Sequence, residues 1–207
     1  MILKAKHNIL IYNFFKHYAG WIMKKHFGVI RVMGQFQDKK MPVLLISNHI
    51  SWWDGFWSMY LNVKVLKRKF HFMMLEDQLR KFWFFNYTGG FSVSKKSKSV
   101  LETLKYTSEL LADCNNMVLI FPQGEITTMH QQHINFENGV NRILKDKEKY
   151  QLIFQVNLVD YFSAKKPGIY IYIEDFNNAV AGSNVQESYN FFYQQCIENQ
   201  HNLIKTK

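Results

Sequence analysis

The chain has 207 residues, 47% of them apolar, with 26 Lys and Arg against 16 Asp and Glu, for a formal charge of +10. Such a length and apolar content give one folded domain with a sizeable core and exclude a disordered chain. The charge favours anionic partners, namely an anionic membrane surface or phosphorylated small molecules, and the lack of zinc-finger spacing or an RNA-binding signature sets nucleic acid aside.

In chain order, residues 1–30 read as one or two aromatic-rich helices broken near Gly20 and punctuated by Lys4, Lys6, Lys16, Lys24 and Lys25. Two readings stay open for this segment. It lies in a membrane interface, with Tyr12, Phe14, Phe15, Tyr18 and Trp21 in the acyl boundary, or it packs on the domain's own core. The lysines, with His7 and Asn13, interrupt the apolar start, so no cleavable signal peptide is expected. No run approaches the roughly 20 apolar residues of a membrane span. The longest stretches free of charged residues, Met41–Trp53 and Phe82–Ser94, have 13 residues each.

Gly28 to Phe36 reads as a first strand, and the apolar run Val43–Ile46 as a second, buried on both faces. A helix is expected over Trp53–Asn62, followed by a basic cluster (Lys64, Lys67, Arg68, Lys69) and a strand over Phe70–Leu75. The cluster is either a solvated face or a contact for phosphate. Leu79–Tyr87 is an aromatic helix or loop ending at Gly89-Gly90. Ser99 and Glu102 have capping-box spacing ahead of a helix with Val100, Leu104, Thr107 and Leu111 on one face. Met117–Phe121 is another buried strand, and Phe136, Val140, Ile143 and Leu144 mark a further helix. Leu152–Val159 and Ile169–Ile173 are strand-like, and a closing helix carries Tyr189, Phe192, Cys196 and Leu203. Cys114 and Cys196 stand alone, as reduced thiols in a cytoplasmic setting do.

Strands alternating with helices indicate an α/β fold: a mixed, largely parallel central sheet flanked by helices, preceded by the membrane-associating segment. The expected division is 1–30 for that segment and 31–207 for the α/β domain.

His49 stands where the second strand ends, and Asp54 follows on the next element. An imidazole at a strand's carboxyl edge beside a carboxylate suits a general base and its orienting partner, although the spacing alone also fits a structural pair. Pro122-Gln123-Gly124, after another buried strand, would expose backbone N–H groups to an oxyanion, or is an ordinary turn. No GxSxG elbow surrounds a serine, and no metal-ligand spacing appears.

Together these stretches resemble the glycerolipid acyltransferases of the 1-acylglycerol-3-phosphate acyltransferase type. Asn48-His49 with Asp54 matches the NHxxxxD motif. Phe121-Pro122-Gln123-Gly124 is similar to the start of the FPEGT block, Gly89 to Lys95 to the block before it, and Phe136-Glu137-Asn138-Gly139 to the FxxG that follows. The resemblance implies transfer of a fatty acyl group from acyl-CoA or acyl carrier protein to a lysophospholipid or a related hydroxy-, amino- or glycolipid. It implies direct attack of the acceptor without an acyl-enzyme, and His49 and Asp54 as the catalytic pair. Asn48, Lys95, Phe121, Pro122, Gln123, Gly124 and Glu125 become the substrate-binding positions, with no cofactor beyond the donor substrate. Peripheral attachment at the cytoplasmic face of a membrane follows, with membrane lipids as partners.

Several positions depart from the family pattern. Gln123 replaces Glu, Glu125 replaces Thr, Ile126 replaces Arg, and Lys95 stands where the second block ends in Arg. The fourth-block proline is missing, with Gln155 or Asn157 in its region. These changes weaken the case for a phosphate-bearing acceptor, since Lys holds phosphate only as a point charge. A glycerophospholipid precursor stays the first choice of acceptor, and Glu125 adds an amino- or hydroxy-lipid or a glycosylated lipid, whose amine or sugar hydroxyl it could pair with. The alternatives are a lipid-binding protein of the same fold without activity, and a thioester hydrolase.

Overall fold

The computed structural model describes residues 2–94, 97–176 and 184–205. Seven strands form one sheet: β1 (Val29–Met33), β2 (Val43–Ser47), β3 (Lys69–Leu75), β4 (Gly90–Val93), β5 (Asn116–Ile120), β6 (Gln151–Asp160) and β7 (Gly168–Asp175). Their spatial order is β1-β7-β6-β2-β5-β3-β4, and every neighbouring pair is parallel except β6 with β7. The mixed, largely parallel α/β sheet is therefore the architecture.

The two apolar runs that read as doubly buried strands occupy the middle. All five residues of β2 and of β5 are buried. Because successive side chains alternate across a strand, each run feeds two cores at once. Leu44, Ile46, Val118 and Ile120 face one layer with Phe154, Tyr189 and Phe192. Val43, Leu45, Met117 and Leu119 face the other with Met23, Phe56 and Trp57. The first layer is covered by α4 (Ser97–Leu110), α5 (Val140–Ile143) and α6 (Val185–Lys205), and the second by α1 (Ile9–His26) and α2 (Asp54–Leu61). A short α3 (Glu76–Lys81) leads into a 3-10 turn at Trp83–Thr88.

The amino-terminal segment differs in detail from its sequence reading. α1 runs unbroken through Gly20, since one glycine costs about 1 kcal/mol against Ala, less than the helix gains by burying Ala19 and Met23. Asn8 caps it, its side-chain oxygen accepting the N–H groups of Leu10 and Ile11 at 3.0 and 3.2 Å. Residues ahead of the helix lie against β4, the last strand of the sheet. Ser92 N–H donates to Leu3 C=O at 2.9 Å, Leu3 N–H to Ser92 Oγ at 2.8 Å, and Lys6 N–H to Asn86 C=O at 3.0 Å. This arm covers a sheet edge that would otherwise be unpaired. Gly89 makes the close approach possible: its φ is +108, and a Cβ there would sit 1.9 Å from Phe70 O and 2.9 Å from His7 Nε2, which admits no side chain.

Two helix readings shift. α4 begins at Ser97, so Ser99 lies within its first turn rather than capping it, and its carbonyl accepts the Thr103 hydroxyl at 2.9 Å. Phe136 precedes α5, which spans only Val140–Ile143 before a 3-10 stretch at Leu144–Lys149.

Candidate active site

The parallel ladder of β2 ends at Ser47, opposite Gln155 of β6. Asn48, wholly buried, fastens that end: its side-chain NH2 donates to Asn157 C=O at 3.0 Å, and its oxygen accepts Asn157 N–H at 2.8 Å. An amide is suited to this because it offers a donor and an acceptor to one peptide unit. Asn48 is thus a fastening residue inside the core.

His49 emerges next, its side chain 22% exposed, and Asp54 opens α2 with its side chain fully buried. His49 Nδ1 lies 2.7 Å from Asp54 Oδ2. The same oxygen accepts the N–H groups of Ile50 and Ser51, each at 2.8 Å. Burial raises the Asp54 carboxyl above the ordinary carboxylate range, while the bonds from His49, Ser51 and Ile50 pull it back. The Phe121 ring stacks on the imidazole, with centroids 4.1 Å apart and planes 12° from parallel. With Nδ1 engaged, Nε2 is the ring nitrogen left to exchange a proton.

The loop after β5 arrives beside this pair. Pro122 is buried, and Gln123 is 7% exposed with its side chain directed inward. Gln123 Oε1 accepts the His49 N–H at 2.7 Å, its Nε2 donates to Thr127 Oγ1, and Thr127 N–H donates to His49 C=O at 2.9 Å. Gly124 turns the loop with φ +72, and its N–H donates to Phe121 C=O at 3.2 Å. The expectation of an open N–H for an oxyanion is therefore not met at Gly124, whose donor closes a turn. Glu137 N–H bonds Pro122 C=O at 2.8 Å, which brings the Phe136–Gly139 stretch against this block.

Residues 29–174 match the protein-family model described as Acyltransferase. The chain belongs to that family. No curated protein matches it. As a member of the glycerolipid acyltransferase family, it is an enzyme that transfers acyl groups, with lipid acylation as its general activity.

In this acyltransferase the fold brings together His49, Asp54, Phe121 and Gln123 from segments more than 65 residues apart in two clusters. Glu125 and Ile126 stand exposed on the crown of the 123–127 loop, and His130 and His133, farther along the chain, are exposed as well. Lys95 lies outside the described residues. Among the described residues no group of three or more His, Cys, Asp or Glu is placed to hold a metal ion. Thr127 escaped the sequence reading and carries no local signal. Asn157 stood out only as a residue in the region of the missing fourth-block proline, and the polar break it makes with Gln155 in an otherwise apolar strand marks the partner of Asn48.

Proposed function

We propose that this acyltransferase moves a fatty acyl group from acyl-CoA or acyl carrier protein to a lipid acceptor, with His49 as general base. The observation that carries the reading is the 2.7 Å contact between His49 Nδ1 and Asp54 Oδ2, on a strand end where Nε2 has no hydrogen-bond partner among the described residues. Asp54 holds the Nδ1–H tautomer and stabilises the imidazolium as it forms. Nε2 takes the proton of the acceptor hydroxyl or amine while that atom attacks the thioester carbonyl, a contribution of about 10²–10⁴-fold. When the tetrahedral intermediate collapses, the C–S bond breaks, and the imidazolium returns the proton to the departing thiolate.

The acceptor is a lysophospholipid or a related hydroxy-, amino- or glycolipid, and Glu125 at the loop crown favours an amine or a sugar hydroxyl. The charge of +10 suits a donor bearing phosphates or an acidic carrier. A peripheral position at the cytoplasmic face of a membrane, within lipid biosynthesis, accords with the outer side of α1. There Ile9, Leu10, Phe14 and Trp21 are exposed, together with Trp83 and with Trp52 beside the His49 loop. Lys25 lies over the Trp21 ring, its Nζ 5.2 Å from the centroid, which puts charge at the edge of the apolar face. Among the described residues no helix is long and apolar enough to cross a membrane.

The test is transfer from palmitoyl-CoA to a panel of lysophosphatidate, lysophosphatidylethanolamine and a monoglycosyl lipid, compared between the parent and His49→Ala. Loss of acylated product in a folded variant is expected. Undiminished transfer by His49→Ala would end this assignment.

A further inference from the structure

We propose that Gln123 and Thr127 are the positioning residues of His49, and that the clamp they form requires an amide at 123. The inference rests on the reading of His49 as general base.

The β2 ladder stops at Ser47, so no strand bond fixes the main chain of His49. The loop after β5 replaces it. Both polar groups of the His49 peptide are taken by residues 123–127: the N–H by Gln123 Oε1 at 2.7 Å, the C=O by Thr127 N–H at 2.9 Å, with the Thr127 hydroxyl also facing that carbonyl at 3.4 Å. The bond from Gln123 Nε2 to Thr127 Oγ1 closes the ring. With the main chain held, Asp54 and the Phe121 ring are enough to fix the imidazole. The same Gln123–Thr127 loop carries Glu125 at its crown, so whatever sits on the crown lies over a segment rigidly tied to the base.

An amide fits this place better than a carboxylate. Oε1 accepts while Nε2 donates, so the Thr127 hydroxyl can accept from Gln123 and still point its proton at His49 C=O. A glutamate would need that proton for itself and would break the link.

The experiment uses the full chain labelled with 15N-histidine, with His49→Ala to assign one signal among eight histidines. Long-range 1H–15N spectra then report the tautomer of His49 without any substrate, and palmitoyl-CoA-dependent acylation of lysophosphatidate is followed beside them. The parent is expected to hold the proton on Nδ1. Gln123→Met and Thr127→Val should give mixed tautomers and lower kcat about 10- to 100-fold at nearly constant KM, because a small misplacement of the base has that effect. Thr127→Ser should restore the parent tautomer. The parent tautomer and parent kcat in folded Gln123→Met and Thr127→Val would overturn the clamp while leaving the base assignment standing. A parent spectrum with the proton on Nε2 would overturn the base assignment, and the clamp with it.

Discussion

Asp54 Oδ2 accepts three hydrogen bonds, from His49 Nδ1 at 2.7 Å and from the Ile50 and Ser51 N–H groups at 2.8 Å each, while Oδ1 is buried without a partner. One oxygen thus orders the loop and orients the base. Asn can put its carbonyl oxygen in the same place and keep all three bonds, but it lacks the charge that stabilises the imidazolium. Asp54→Asn is expected to lose about 10²–10⁴-fold in kcat with the fold intact. Because the buried carboxyl is raised above its unfolded value, its ionisation opposes folding at neutral pH, and Asp54→Asn should melt no lower than the parent. Asp54→Ala strands two N–H groups and should melt lower. Calorimetry at pH 7 beside steady-state kinetics checks both, and an Asn variant as unstable as the Ala variant would contradict the geometry.

Asn48→Ala removes both bonds to the Asn157 peptide and leaves a buried N–H and C=O without partners. We expect a loss of about 2–4 kcal/mol in denaturant unfolding, roughly two buried unsatisfied groups. Since the side chain is fully buried, the surviving folded fraction should show an unchanged KM for the acceptor. A raised KM at unchanged stability would place Asn48 in substrate binding instead.

His7 of the amino-terminal arm meets His71 of β3 edge to face, ring centroids 4.6 Å apart, with His7 Nε2 and His71 Nδ1 both buried and unpartnered. Burial lowers His7 to about 3 and His71 to about 4, and Lys69 adds to both. Unfolded histidines take up protons near pH 6.5, whereas these do so only far below it. Their contribution is therefore fully present above about pH 6.5 and is lost as pH falls toward 4. The melting temperature should decline between pH 6.5 and 5, ahead of most carboxylates. His7→Asn keeps a residue that tolerates the positive φ of 43 found there and should flatten that slope by about half. An unchanged slope would show that the arm does not sense acid through His7.

The exposed side of α1 and the neighbouring Trp83 flank a shallow apolar groove lined by Leu10, Ile11, Phe14, Phe15, Trp83 and Phe84. If this face meets lipid, Phe14→Ala and Trp21→Ala should each weaken partition into vesicles of phosphatidylglycerol and phosphatidylcholine about tenfold, the equivalent of roughly 1.4 kcal/mol of apolar burial. High salt should remove only the lysine component, since exposed charges are screened within about 8 Å at physiological ionic strength. Vesicle binding that ignores both substitutions would exclude this face.

How much of the molecule could be read in advance depends on the distance over which each feature is decided. Val43–Ile46 and Met117–Ile120 are legible as central strands because a strand buried on both faces must be apolar at every position. His49 and Asp54 are legible as a pair because five residues of chain, a strand end and a helix start bring them within reach of each other. The order of the sheet was not legible. It alone carries Gln123 to a peptide 74 residues earlier, Thr127 to one 78 earlier, and Asn157 to one 109 earlier. Those contacts give the side chains of Gln123 and Asn48 partners inside the protein. The same packing made α1 a continuous helix that sends Ala19 and Met23 into the second core. Residues by themselves determined most of the elements and the pairing of His49 with Asp54, through periodicity and spacing set by local backbone geometry. Only the assembled sheet decided which way each polar side chain faces, because a buried donor or acceptor must find its partner wherever the topology puts one.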